Sequence, residues 1–125
     1  MKKIALVLLL LLILLSACST LTPSPTVSGV EGQVFIGPVC PVVQPGQDCA
    51  DKPYQAYLVV NKSNGREIVK VQTDEQGRFK IPLDPGEYIL QPESPNVMPT
   101  AGEQTFTVEA GKFTQVNITY DSGIR

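Results

Sequence analysis

The chain has no histidine, no tryptophan, only 6% aromatic residues and no excess of basic charge. Each absence excludes something. Without histidine the protein lacks the commonest general base and the commonest metal ligand, so no catalytic residue, metal or cofactor is expected. Ten basic residues against twelve acidic ones give a formal charge of −2, which leaves no basic footprint for nucleic acid. Beyond the N-terminal region no window longer than about ten residues carries helical periodicity. A core must therefore be built from Val, Ile, Leu, Phe and Tyr on strands.

What is present begins with an export pattern. Met1, Lys2 and Lys3 precede an unbroken apolar run from Ile4 to Leu15, and the small residues Ser16, Ala17 and Cys18 follow. These are the three parts of a signal peptide. As a helix the run would rise only about 18 Å, against roughly 30 Å of hydrocarbon, so a permanent membrane span is the weaker reading. The segment Leu15-Ser16-Ala17-Cys18 resembles the lipobox of bacterial lipoproteins. The resemblance implies that residues 1–17 are removed and that Cys18 carries a diacylglyceryl anchor, which makes it a lipidation site and not a catalytic thiol. Two acyl chains suit stable attachment, since one gives only marginal, reversible binding. The expected location is the cell membrane or outer membrane, with the membrane as a partner through the lipid and the domain outside the cytoplasm.

Of 125 residues, removal of the first 17 leaves 108, and eight basic residues then face twelve acidic ones for a formal charge of −4. Residues 18–28 (CSTLTPSPTVS) have no apolar periodicity and two prolines. They read as a flexible, semi-extended tether of about 30 Å. Residues 29–121 form the expected domain, and 122–125 a short tail.

Period-two alternation runs through that domain. Val30, Val34 and Ile36 share one face of a first strand, and Ala56, Leu58 and Val60 do so in a second. Asn64-Gly65 is a strong hairpin signal, because both residues tolerate positive φ. Val69, Val71 and Thr73 alternate on the return, then Phe79, Ile81 and Leu83 after a turn at Asp74 to Gly77. Asp84-Pro85-Gly86-Glu87 fits a type II turn. Tyr88 and Leu90, Phe106 and Val108, and Val116, Ile118 and Tyr120 complete the inward set. About seven short strands with regular turns predict an all-β fold, a single antiparallel β-sandwich.

The run TDEQGRFKIPLDPGEYIL, Thr73 to Leu90, resembles the signature of the carboxypeptidase regulatory-like and Cna-B-like domains. These are immunoglobulin-like or prealbumin-like sandwiches. The resemblance implies that fold and leaves function open, because the architecture hosts spacers, adhesin stalks, enzyme accessory domains and ligand binders. Its residues have structural reasons: Gly77 permits a tight turn, Phe79 seats in the core, and Tyr88 buries its ring while its hydroxyl finds a backbone partner.

Some Cna-B-like domains carry a lysine to asparagine isopeptide bond; Asn117 lies in the last strand, but GVEGQVFIG has no lysine to donate. Asn117-Ile118-Thr119 fits a glycosylation acceptor by chance pattern. Asp74 and Glu75 read as a solvated turn and not a calcium loop, since no further carboxylates follow at loop spacing. Cys40 and Cys49 bracket PVVQPGQD, and the spacing alone suits a metal clamp, a redox pair or a staple. Export favours oxidation, and with Cys18 given to lipid the two have only each other, so a disulfide is expected.

The long loop from Pro38 to Pro53, with Tyr54 and Tyr57 just beyond it, is where a ligand contact could arise, although the two aromatics are first expected to pack under the loop. The expectation is a non-enzymatic structural or interaction module of the cell envelope, meeting a protein partner; the alternative is a carbohydrate or peptidoglycan-fragment binding module, with Tyr54 and Tyr57 stacking on a sugar. The anchor is directly testable. Expressed in a bacterial host, the chain should incorporate radiolabelled palmitate and be processed in a globomycin-sensitive way. Cys18→Ser should abolish both, and unchanged labelling of that variant would refute the anchor.

Overall fold

A computed structural model describes residues 1, 3–5 and 27–125. The lipobox, Cys18, the tether through Thr26 and nearly all of the signal segment lie outside the described residues. All seven alternating segments form strands. They are β1 (Gly29–Gly37), β3 (Tyr57–Lys62), β4 (Glu67–Gln72), β5 (Arg78–Pro82), β6 (Gly86–Pro92), β7 (Gln104–Val108) and a last segment divided into β8 (Phe113–Gln115) and β9 (Ile118–Asp121). A two-residue strand, β2 (Lys52–Pro53), closes the long loop after β1.

Two sheets result. The second is antiparallel throughout, in the order β4-β3-β6-β7. The first is built around β1, which pairs antiparallel with β5 along its first half (Gly29↔Pro82 to Gln33↔Arg78) and with β2 farther on (Phe35↔Pro53). On its other side β1 runs parallel to β8 and β9 (Gly29↔Phe113, Val34↔Ile118). The purely antiparallel expectation is thus corrected for one sheet. The reason lies in where β7 ends: the turn after it brings the Lys112 carbonyl to the Gly29 N–H at 3.1 Å, at the start of β1. A strand leaving that point has only the direction of β1 available.

The period-two residues meet between the sheets, as alternation requires when one face of each strand is buried. Val30, Val34, Leu58, Val60, Leu90, Ile118 and Tyr120 are fully buried, and Phe79, Ile81, Tyr88, Phe106 and Val108 complete the core. Ile36, Val69 and Val71 pack against it from partly exposed positions.

The run from Thr73 to Gly77 carries the chain from the second sheet to the first, and each residue has a task. Thr73 is buried; its Oγ1 accepts the Ala56 N–H at 2.9 Å, and its own N–H donates to the Ala56 carbonyl at 2.9 Å. The Asp74 carboxylate accepts the N–H groups of Gln76 (2.9 Å) and Arg78 (2.8 Å). Gly77 takes φ +73°, and a Cβ there would run into the Val34 carbonyl and lie 2.8 Å from that of Tyr54.

Two turn expectations change in detail. At Asn64-Gly65 only Gly65 takes positive φ (+87°), while the Asn64 side chain accepts the Arg66 N–H at 3.0 Å. The loop is the three-residue kind that ends in a glycine bulge, and the pairing shifts register beside it at Val60/Asn61. At Asp84 to Glu87 the chain bends at Pro85, and Gly86 (φ +155°) already belongs to β6. The Asp84 carbonyl accepts the Tyr88 hydroxyl at 2.6 Å, so a phenol holds the corner that a type II turn would have closed through the backbone.

Gly77 and Gly65 separate two costs of adding a methyl group. A Cβ at Gly65 meets nothing within 4 Å, so Gly65→Ala should cost only the left-handed conformation, about 1 kcal/mol. Gly77→Ala adds the collision with the Val34 carbonyl and should cost about 3 kcal/mol or more. Urea unfolding of the two variants checks the order; equal losses would remove the close approach as its reason.

Candidate functional site

Strand directions sort the loops onto two ends. β1 enters at Gly29 from Val27 and Ser28, and the Ser28 Oγ donates to the Leu83 carbonyl at 2.7 Å. This entry end also holds the Ser63–Arg66 loop, the Asp84 corner and the Glu109–Lys112 turn. β1 is nine residues long, or about 30 Å at strand rise. The opposite, far end holds the 38–51 loop, the 93–103 connection between β6 and β7, and the chain beyond Asp121.

Cys40 and Cys49 form a disulfide there, with Cα atoms 5.5 Å apart. Closing a loop this short stabilises the fold by about 2.5–3 kcal/mol on the chain-entropy estimate. The stapled loop is tied to its surroundings at both ends. Ser122 donates from its N–H to the Gly37 carbonyl (2.9 Å) and from its Oγ to the Pro38 carbonyl (2.6 Å). Lys52 pairs with Asp48 at 2.6 Å, and this hydrogen bond holds the Asp48 carboxyl below its usual range.

The other far-end segments are bound to each other. Thr100 and Asp121 exchange backbone hydrogen bonds of 3.1 and 2.7 Å. Arg125 grips the Asp121 carboxylate with two nitrogens at 3.1 and 2.8 Å, and Gly123 donates its N–H at 2.9 Å. Led by the Arg125 hydrogen bond, these partners bring the Asp121 carboxyl down to about 2. Residues 122–125, read from sequence as a tail, thus pack onto the domain.

Beside the Asp48–Lys52 and Asp121–Arg125 pairs, the far end exposes apolar side chains. Val42 (67%), Val43 (76%) and Val97 (89%) stand out from two different loops, and Met98 and Ile124 are also exposed at this end. Gly123 sits against the Met98 side chain, its Cβ position 3.0 Å from the Met98 Cγ. Alternation could not have marked these residues, because none lies on a strand.

Tyr54 and Tyr57 are brought together, in a company different from that expected. They line a depression of about 250 Å³ with Glu93, Ser94 and Pro95, and the 38–53 loop supplies none of its walls. Tyr54 is half-buried, its ring centroid 4.9 Å from that of Tyr120. Tyr57 is exposed, with the Lys70 ammonium 5.1 Å from its ring centroid and 2.8 Å from the Glu93 carboxylate. That carboxylate holds the Lys70 ammonium above its ordinary range. Beneath them the Tyr120 hydroxyl donates to the Glu93 carbonyl at 2.7 Å. Burial, then the neighbouring Tyr54 and Glu93, push the Tyr120 phenol up to about 12.

Asn117 is exposed on the outer face and also repairs a strand. Its Oδ1 accepts the Gln33 backbone N–H at 3.1 Å, in the gap between β8 and β9. The residue facing it is a glutamine, not a lysine.

These features define a two-sheet β-sandwich, with one mixed and one antiparallel sheet. No family model matches the chain, and no curated protein matches it. Among solved structures the chain is similar to the minor pilin GBS52 of the gram-positive pathogen Streptococcus agalactiae, at TM-score 0.56 and 18% identity, covering 77% of this chain and 44% of that one. It is also similar to the TIE protein of Bacillus anthracis, at TM-score 0.50 and 23% identity, covering 77% of this chain and 18% of that one. The chain thus spans less than half the length of either, and the likeness is one of fold.

Tyr120 gives this end a pH signature. The folded protein keeps the phenol protonated to about 12, whereas an unfolded tyrosine loses its proton near 10. Stability from this group is complete below pH ~10 and should fall as pH rises towards 12, because the unfolded state then binds fewer protons. Tyr120→Phe should lose about 1 kcal/mol at neutral pH with the Glu93 bond, yet show a flatter decline in urea midpoint above pH 10. Parallel declines in the two proteins would refute the assignment.

Proposed function

We propose that the chain is a lipid-anchored protein of the cell envelope whose non-enzymatic sandwich holds an interaction surface away from the membrane. One observation carries the reading. The chain enters the sandwich at one end, while the stapled loop and the exposed Val42, Val43, Val97, Met98 and Ile124 occupy the other. Several exposed apolar side chains at one end suit a protein partner. The anchor through Cys18 rests on the lipobox resemblance, and the sandwich likeness to a minor pilin supports a structural or interaction role.

A photo-crosslinking residue placed at Val43 or Val97 in cells, with Lys112 as the entry-end control, tests this reading. Far-end positions should yield discrete adducts with one or a few envelope proteins, and the control should not. Adducts from Lys112 alone, or none from either far-end position, would sink the proposal.

A further inference from the structure

A polar depression of about 620 Å³ lies open on the outer face of the first sheet, on a flank of the molecule and away from both ends. Its working side chains come from three neighbouring strands: Glu31 and Gln33 on β1, Arg78 and Lys80 on β5, and Gln115 and Asn117 in the last segment. An ordinary solvated strand face carries mixed charges. This one has them too, in Glu31, Asp74, Arg78 and Lys80, and adds three side-chain amides.

The backbone fixes which way two of the amides point. The Asn117 Oδ1 accepts a main-chain N–H from Gln33, which can only donate, so the two hydrogens on its Nδ2 face the depression's other groups or solvent. The Gln33 Nε2 donates at 2.8 Å to the Gln76 carbonyl, which can only accept, so its Oε1 is left as an acceptor. The Gln115 Nε2 donates at 3.2 Å to the Asn117 Oδ1, leaving a second acceptor in the Gln115 Oε1. Two carboxylates and two cations line the depression, and they differ in their partners. Lys80 lies 3.8 Å from Glu31, and the Asp74 carboxylate is committed to loop N–H groups. Among the described residues the Arg78 guanidinium makes neither a salt bridge nor a side-chain hydrogen bond.

The geometry points to a binding site for a carboxylate-bearing saccharide on this face. Preset acceptors and donors match hydroxyl groups, each of which needs both. A planar guanidinium offers two parallel N–H groups to one carboxylate. A depression open along its length admits a chain that continues past it at either side. One unpaired cation is too few for a nucleic acid, and the face lacks the apolar anchors of a protein interface. The site shares no residue with the far end and does not depend on the partner proposed there.

The test titrates the full chain, in detergent micelles, with hexagalacturonic acid and separately with neutral chitohexaose by isothermal titration calorimetry. The acidic oligomer should bind saturably, about tenfold or more tighter than the neutral one, and Arg78→Gln should weaken it by about tenfold. Asn117→Asp keeps the oxygen that Gln33 needs while removing the donors, and Gln115→Ala touches no backbone bond; each should also weaken binding, with thermal melting confirming the fold. No binding of the acidic oligomer, equal affinity for the neutral one, or full affinity in Arg78→Gln would each overturn the site.

Discussion

The backbone of Val34 is the junction on which the rest of the sandwich depends. Its N–H donates to the Gly77 carbonyl at 2.8 Å, and its carbonyl accepts the Tyr54 N–H at 2.9 Å. Three stretches of chain therefore meet at one residue: the central strand of the first sheet, the arch from β4 to β5, and the segment leading into β3. The side chain of Val34 is fully buried between the sheets. Buried backbone groups must be paired, and here pairing is possible only because Gly77 has no Cβ to stand between them. The glycine acts through the carbonyl it leaves accessible.

That junction explains why the two ends can differ. Below it, β1 is flanked by β5 and β8 and the loops are tight, ending in glycine bulges or the Tyr88 corner. Above it, β5 no longer accompanies β1, and the two-residue β2 with its long preceding loop takes the place. A long loop at a sheet edge would be poorly ordered without support. The disulfide, the Ser122 contacts and the Asp48–Lys52 pair supply that support locally, leaving valine side chains free of any packing duty.

Much of the fold was legible because burial imposes a local rhythm. Every inward residue read from alternation, from Val30 to Tyr120, is buried or packs on the core. The Tyr88 hydroxyl bond was legible for the same reason: a buried phenol just after the Pro85-Gly86 corner, four residues on from Asp84, has a carbonyl within reach. The direction of β8 and β9 was not, since it depends on which end of the sandwich β7 reaches. Nor was the tilted contact of Tyr54 with Tyr120, or the meeting of Gln33 with Asn117. Those pairs are remote in sequence, and no local pattern records them. Tyr54 and Tyr57 do line one depression, but its other wall, Glu93 to Pro95, comes from the irregular stretch that alternation could not read.

The break between β8 and β9 shows how a structural repair can set up chemistry. Val116 donates its N–H to the Glu31 carbonyl at 2.9 Å, and β9 resumes pairing only at Ile118↔Val34. Between them the Gln33 N–H would be left to solvent. A side-chain amide fills that place where any backbone carbonyl would have served equally well for stability. The difference is what remains afterwards. A carbonyl has no donor to offer, whereas an asparagine with its oxygen committed keeps two N–H groups, held in a known direction by the strand it repairs. Fixed polar groups lose little freedom when a ligand arrives, so the interruption in the last strand is also the most preorganised part of that face.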